Sequence, residues 1–320
     1  MKKVFLGFIL CAGSIFAYEE NVFNVQMLQS KQLYISLYES QKSNTSYGFI
    51  EDKNSSYSFW GSAKNAKYII EASNFGSCAI ENTSKEDFQA LCKINEKNEN
   101  FVFKKDDIKA KIYQLTLKDK MTSKENKDIE FEFVDSLVFI DTKNQKLQKI
   151  IDDFNENLDK KSLKEKLAQA NEKWRNEAIS SNENLNQSYI FYYDEKIISL
   201  GKNIYEYKGG AHGITKIQRK TYDIDSMKLI HLKNELKIEN DEFINLIKSK
   251  LLKEHDKNEF FNIDEFKMSE IFEVRQNGLI FIWEPYEIAP YSSGVIELFI
   301  SYEELKPFWR ANSKLAYLSL

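Results

Sequence analysis

Turn-formers are scarce in this chain: 3 prolines and 11 glycines in 320 residues. That leaves no low-complexity or linker-like tract on which to hang a flexible architecture, and no internal repeat is visible. Histidine is equally scarce. His212, His231 and His255 are scattered, with no His-Glu-x-x-His or related spacing, so no metal site and no cofactor is expected. A phosphate-cradling glycine loop is also missing. Basic residues do not exceed acidic ones (45 against 49, formal charge −4), which argues against a nucleic-acid binder. After the first residues no apolar run approaches the ~20 needed to cross a bilayer, so no transmembrane segment is expected in the mature chain.

What is present begins with a leader. Lys2 and Lys3 precede an apolar run from Val4 to Leu10 and a small-residue end at Ala17, which reads as a cleavable signal over residues 1–17 and a periplasmic or secreted product. Cys11 offers lipoprotein processing as a rival, but Leu10 stands where a small residue is preferred. Loss of the leader removes two lysines and no acid. The remaining 43 basic and 49 acidic side chains suit a cationic partner. It also leaves Cys78 and Cys92 as the only cysteines, which in an oxidising compartment most simply form a disulfide. Free thiols are the alternative, and metal ligation lacks further ligands nearby.

At this length two domains are expected after the leader: a β-rich N-terminal domain over 18–125 and an α+β domain over 126–320. In the first, Tyr34 to Tyr38, Ser46 to Ile50, Tyr57 to Ala63, Lys67 to Ala72 and Cys78 to Ile80 are aromatic or β-branched runs between polar turns, a pattern of a small antiparallel sheet or barrel. The join is placed in the charged stretch Lys104 to Asp128, although Ile108 to Leu117 could be a further strand. Beyond Ile129 to Phe139, apolar residues at helical spacing mark helices around Leu147 to Leu158, Leu163 to Ala178 and Phe243 to Leu252. Strands are read at Tyr189 to Tyr193, Ile197 to Tyr207 and Ile217 to Ile224. A hairpin turns at Gln276-Asn277-Gly278, and Val295 to Ser301 leads into a short helix at Tyr302 to Phe308. The fold class read from this is α+β, with an antiparallel sheet covered on one face by helices.

Two of the three prolines and four of the glycines fall inside two short motifs. The first is Tyr205-Glu206-Tyr207-Lys208-Gly209-Gly210-Ala211-His212-Gly213. The second is Glu284-Pro285-Tyr286-Glu287-Ile288-Ala289-Pro290-Tyr291-Ser292-Ser293-Gly294. The plain reading is a bulged strand connection and a stiff corner with packed tyrosines. The functional reading takes Tyr205, Tyr207, Gly209, Gly210, His212, Gly213, Glu284, Tyr286, Pro290 and Tyr291 as a binding surface, because bare backbone admits a partner and tyrosines give rigid contact area. No catalytic residue is assigned. His212 has no readable nucleophile or orienting partner, and the acid pairs Glu284/Glu287 and Asp223/Asp225 qualify for glycoside hydrolysis only at a separation that sequence cannot give.

Both motifs, in this order, resemble the extracellular domain of the RsiV family over about residues 129–309, together with Ile129-Glu130-Phe131-Glu132-Phe133, Gly278 to Trp283 and Ile300 to Leu305. The family includes lysozyme-sensing anti-sigma factors, envelope domains of unknown function and domains attached to some peptidoglycan deacetylases. The resemblance implies a cell-envelope recognition module whose partner is a lysozyme-like protein or a peptidoglycan glycan. Neither a sigma-binding region nor a deacetylase domain is recognised, so those activities are not carried over. A carboxylate-dependent glycan enzyme and a structural envelope protein without a specific ligand are the rival expectations.

Overall fold

The computed structural model describes residues 18–65, 67–105, 110–123, 126, 128–177 and 180–320. The expected leader over 1–17, with Cys11, lies outside them. Eight strands come first: β1 (Glu19–Gln29), β2 (Tyr34–Ser40), β3 (Thr45–Glu51), β4 (Ser56–Lys64), β5 (Lys67–Ala72), β6 (Gly76–Asn82), β7 (Asp87–Ile94) and β8 (Lys97–Lys105). Each pairs antiparallel with the next, and β8 returns to β1 through Leu28↔Lys105 and Gln29↔Lys104. The meander is therefore a closed barrel, which leaves no free edge. Period-two alternation builds it. Tyr68, Ile70 and Ala72 of β5 point inward with Phe59, Ile80, Phe88, Phe101 and Phe103, while Lys67, Ile69 and Glu71 point out. Cys78 and Cys92 stand directly opposite one another on β6 and β7 and form a disulfide inside this core.

The barrel does not end the sheet. The other half of β1, Glu19 to Val25, pairs with β9 (Lys111–Thr122), which pairs in turn with β10 (Glu130–Asp141). Two helices follow, α1 (Gln145–Phe154) and α2 (Lys160–Glu177), before β11 (Asn182–Tyr193). This helical crossover brings β11 back parallel to β10, the only way such a pair can be joined. Asn144 starts α1, its side-chain oxygen accepting from the Lys146 and Leu147 amides. Then β12 (Ile197–Tyr207), β13 (Ile214–Asp223) and β14 (Lys228–Leu229) complete a sheet of fourteen strands. A second sheet holds β15 (Ile271–Val274), β16 (Gly278–Trp283) and β17 (Ile296–Ser301). One of its faces, with Phe281, Trp283 and Leu298, packs on α3 (Leu232–Glu235), α4 (Asp241–Glu254) and α5 (Tyr302–Leu305). The other, with Ile280, Ile282 and Phe299, packs on Ile217 of β13.

The α+β expectation of a helix-covered sheet is thus overturned: the fold is mostly β, an eight-stranded closed barrel with further strands. The helices form where their periodicity places them. However, only one face of β12 and β13 meets a helix, α1, while the other is covered by the second sheet, and the strands after the barrel extend its own sheet through β1 instead of forming a separate layer. Among the described residues no helix is long and apolar enough to cross a membrane.

A buried charged cluster ties the barrel to the second sheet. Glu273 of β15 accepts from Arg219 Nε at 2.6 Å and from Arg275 Nε at 2.6 Å, so one carboxylate sits between two guanidinium groups. Arg275 lies 3.9 Å over the Phe49 ring and reaches Glu51 of β3 at 3.7 Å. Glu51 also accepts from the Gln276 amide, and Asn277 donates to the Asp52 carbonyl, so the β15–β16 turn is seated on the barrel.

Burial pushes the Glu51 carboxyl up to about 7, against the opposing pull of Arg275. The folded state therefore holds that proton more tightly than the unfolded chain. Its stabilising contribution is complete below pH 4.5 and is lost as pH rises to about 7. We expect an unfolding free energy that falls by about 3 kcal/mol over that interval on account of this group. In Glu51→Gln the slope should flatten. Denaturant titrations at several pH values that show the same slope in both proteins would remove Glu51 as its source.

Candidate functional site

The first motif connects β12 to β13, and the second connects β16 to β17. Gly209 and Gly210 take φ of +92° and +100°, values that side-chain-bearing residues rarely adopt, and they let the chain reverse between the two strands. Gly213 is needed for a different reason. A Cβ there would stand 2.4 Å from the Tyr205 ring, so the bare backbone is what lets Tyr205 fold over it. Tyr207 closes the loop by donating to the Gly210 carbonyl at 3.1 Å.

In the second motif Glu284 to Ala289 forms a tight corner, with the Glu287 amide donating to the Glu284 carbonyl and the Tyr286 amide to the Ala289 carbonyl. The Glu284 carboxylate turns inward and accepts from the Ile217 amide of β13 at 2.5 Å. Glu284 is therefore a clasp between the motifs rather than an outward-facing binding residue. Glu287 accepts from the Glu284 amide. Pro290 opens a 3₁₀ turn at Tyr291–Ser293, which ends at Gly294 with φ of +71°.

The motifs meet. The His212 ring stacks on Tyr291 at a centroid distance of 3.9 Å and an interplanar angle of 21°, and Tyr286 lies 5.9 Å from Tyr291. His212 Nδ1 is 2.9 Å from the Gly213 carbonyl, a geometry in which Nδ1–H donates and Nε2 is left to accept from the Tyr286 hydroxyl at 3.4 Å. Desolvation and the Glu183 carboxylate push the Tyr205 hydroxyl up, which keeps it a neutral donor. The result is a shallow aromatic face of Tyr205, His212, Tyr286 and Tyr291.

Tyr286 stands out within it. Its φ is +73°, unusual for a bulky residue, and its side chain is 58% exposed. Strain of this kind costs on the order of 1–3 kcal/mol and persists only where the surrounding structure imposes it.

The acids weighed for glycoside chemistry are each engaged by a partner of their own. Glu284 and Glu287 are engaged with backbone amides, Asp223 with Ser226, and Asp225 with Lys146. Among the described residues no group of three or more His, Cys, Asp or Glu could hold a metal ion. Two arrangements had no sequence signal strong enough to be read. One is the Glu51–Glu273–Arg275–Arg219 cluster, whose only trace is charge alternating inside the apolar strand Phe272-Glu273-Val274-Arg275. The other is a pocket of about 440 Å³ beside the first motif, lined by Trp174 of α2 and the start of β11.

Residues 231–303 match the family described as Protein of unknown function (DUF3298), and residues 123–215 match the family described as Deacetylase PdaC. No curated protein matches the chain. The crystal structure of a member of the DUF3298 family from Bacteroides fragilis is similar at 16% identity and a TM-score of 0.51, covering 64% of this chain and 95% of that one. That of a DUF3298 family protein from Pseudomonas aeruginosa has 18% identity and a TM-score of 0.44, covering 62% and 94%. The likeness to the first is one of fold. The second motif lies in the DUF3298 match and the first in the PdaC match, and the His212–Tyr291 contact joins the two matched segments.

Proposed function

We propose that the protein is an exported, non-catalytic binding protein of the cell envelope. Its Tyr205–His212–Tyr286–Tyr291 face docks a lysozyme-like protein or the glycan of peptidoglycan. The observation that carries this reading is Tyr286, an exposed aromatic held in a strained backbone conformation beside a stacked His–Tyr pair. Packing has no use for such a side chain, whereas a partner surface does. The acidic balance favours a cationic partner, and one of the matched families is described as a deacetylase.

The test is capture of the exported protein on lysozymes and on purified cell-wall fragments. Tyr286→Gly should raise stability by about 1 kcal/mol, because glycine accepts the positive φ, while partner binding weakens. Tyr291→Ala should cost about 2 kcal/mol of affinity, roughly thirtyfold in Kd. Retained wild-type affinity in both variants would reduce the face to a structural corner. Turnover of a glycan, abolished by replacing one carboxylate, would establish an enzyme instead.

A further inference from the structure

The pocket of about 440 Å³ lies within the size range of small-ligand sites and borders the first motif at Glu206, Tyr207 and Lys208. Its walls come from four elements. Phe131 stands on β10, Asn182 and Asn184 on β11, Glu206 and Tyr207 on β12, and Trp174 closes it from α2. The Trp174 indole stacks on Phe131 at 5.5 Å and 27°. It is only 5% exposed, and its N–H has no hydrogen-bond partner among the described residues. A buried indole N–H almost always has one. The side-chain amides of Asn182 and Asn184 form no hydrogen bond with other described residues either, although both line the pocket. Glu206 is paired with Lys208 at 2.5 Å, and Lys173 and Glu183 add one charge of each sign, so the lining is balanced rather than dominated by either.

The chemistry offered is an aromatic wall, two free planar amides that each donate and accept, and one unsatisfied donor at the back. A small anion would meet the Glu183 and Glu206 carboxylates beside any lysine, and an apolar ligand would strand the amides. A pyranose fits both halves. Its C–H face carries a slight positive charge that suits the negative face of an aromatic ring, and its hydroxyls each donate and accept in the directions that planar amides require.

The geometry points to a saccharide-binding site in this pocket, taking one neutral pyranose unit of a glycan and distinct from the tyrosine face. It rests on the reading above only for the envelope setting in which such a glycan is met. Asn182 and Asn184 hold the hydroxyls, Tyr207 and the Phe131–Trp174 pair form the apolar wall, and Trp174 reports occupancy. Trp60, Trp283 and Trp309 are not among the pocket residues.

The experiment titrates the full exported protein with chitotriose and with cellotriose, two neutral β-1,4-linked trisaccharides that differ in the 2-acetamido group, and follows tryptophan emission and heat. We expect saturable binding of at least one of them, with the emission change lost in Trp174→Phe. Affinity should fall at least about tenfold in Asn182→Ala/Asn184→Ala. The absence of saturable binding of both sugars up to roughly 10 mM, or binding unaffected by the double asparagine replacement, overturns the site. Loss of sugar binding in Tyr286→Gly moves the saccharide to the tyrosine face and equally overturns the pocket. Failure of protein capture with sugar binding intact defeats the protein-partner reading alone.

Discussion

Replacing Arg275 by Met should destabilise the protein by roughly 3–5 kcal/mol, a large effect for a single residue far from the candidate site. Arg275 is buried against the Phe49 and Phe191 rings, shares Glu273 with Arg219, and is the cation that faces Glu51. Methionine would fill much of the volume but leave Glu51 buried without its counter-charge, and half of the Glu273 carboxylate unpaired. An apolar replacement of a whole buried ion cluster is often neutral, whereas removal of one member is costly. Arg275→Met/Glu51→Gln should therefore recover a substantial part of the loss. Chemical denaturation of the single and double variants decides the matter. A single-variant cost below about 1 kcal/mol would mean that the cluster does not hold the barrel to the second sheet.

Cys78→Ala/Cys92→Ala should cost about 3 kcal/mol in unfolding free energy, the loop-closure entropy expected for a bridge over a separation of 14 residues. Both sulfurs face the barrel core, at 2% and 0% exposure, so reductant alone should open the bond slowly until the barrel is loosened by denaturant. A double variant that unfolds at the wild-type midpoint would show that the barrel's apolar core suffices by itself.

Much of this architecture could be read from the residues. Lys67 to Ala72 alternates so cleanly that β5 matches its sequence reading end to end, and Ile197 to Tyr207 does the same for β12. The helical stripes Leu147–Ile150–Ile151–Phe154 and Phe243–Ile247–Leu251 are the buried faces of α1 and α4. Glycines and prolines marked the two motifs, and the motifs do meet. Other strands were hidden by composition. Glu19 to Gln29 and Lys97 to Lys105 are rich in Asn, Gln, Glu and Lys because their outer faces are solvated, and no strand was read at either. The fold class failed for a different reason. Periodicity tells which face of a strand is buried but not whether a helix or another sheet covers it, and Ile217 looks the same under either. The inward turn of Glu284 was illegible because its partner is a backbone amide, which no side-chain pattern announces.

The double pairing of β1 has a consequence for the order in which the protein can assemble. Most barrel strands find their partners among immediate neighbours in the chain, so hairpins such as β6–β7 can form as soon as their residues are available. β1 cannot be completed in this way. One end waits for Lys104 and Lys105 of β8 to close the barrel, and the other waits for Ile112 to Lys118 of β9 to begin the open sheet. Both are distant pairings whose loop-closure cost falls on one early strand. β1, the first strand of the barrel, is thus among the last to be satisfied, and its pairing is complete only once β8 and β9 are both in place.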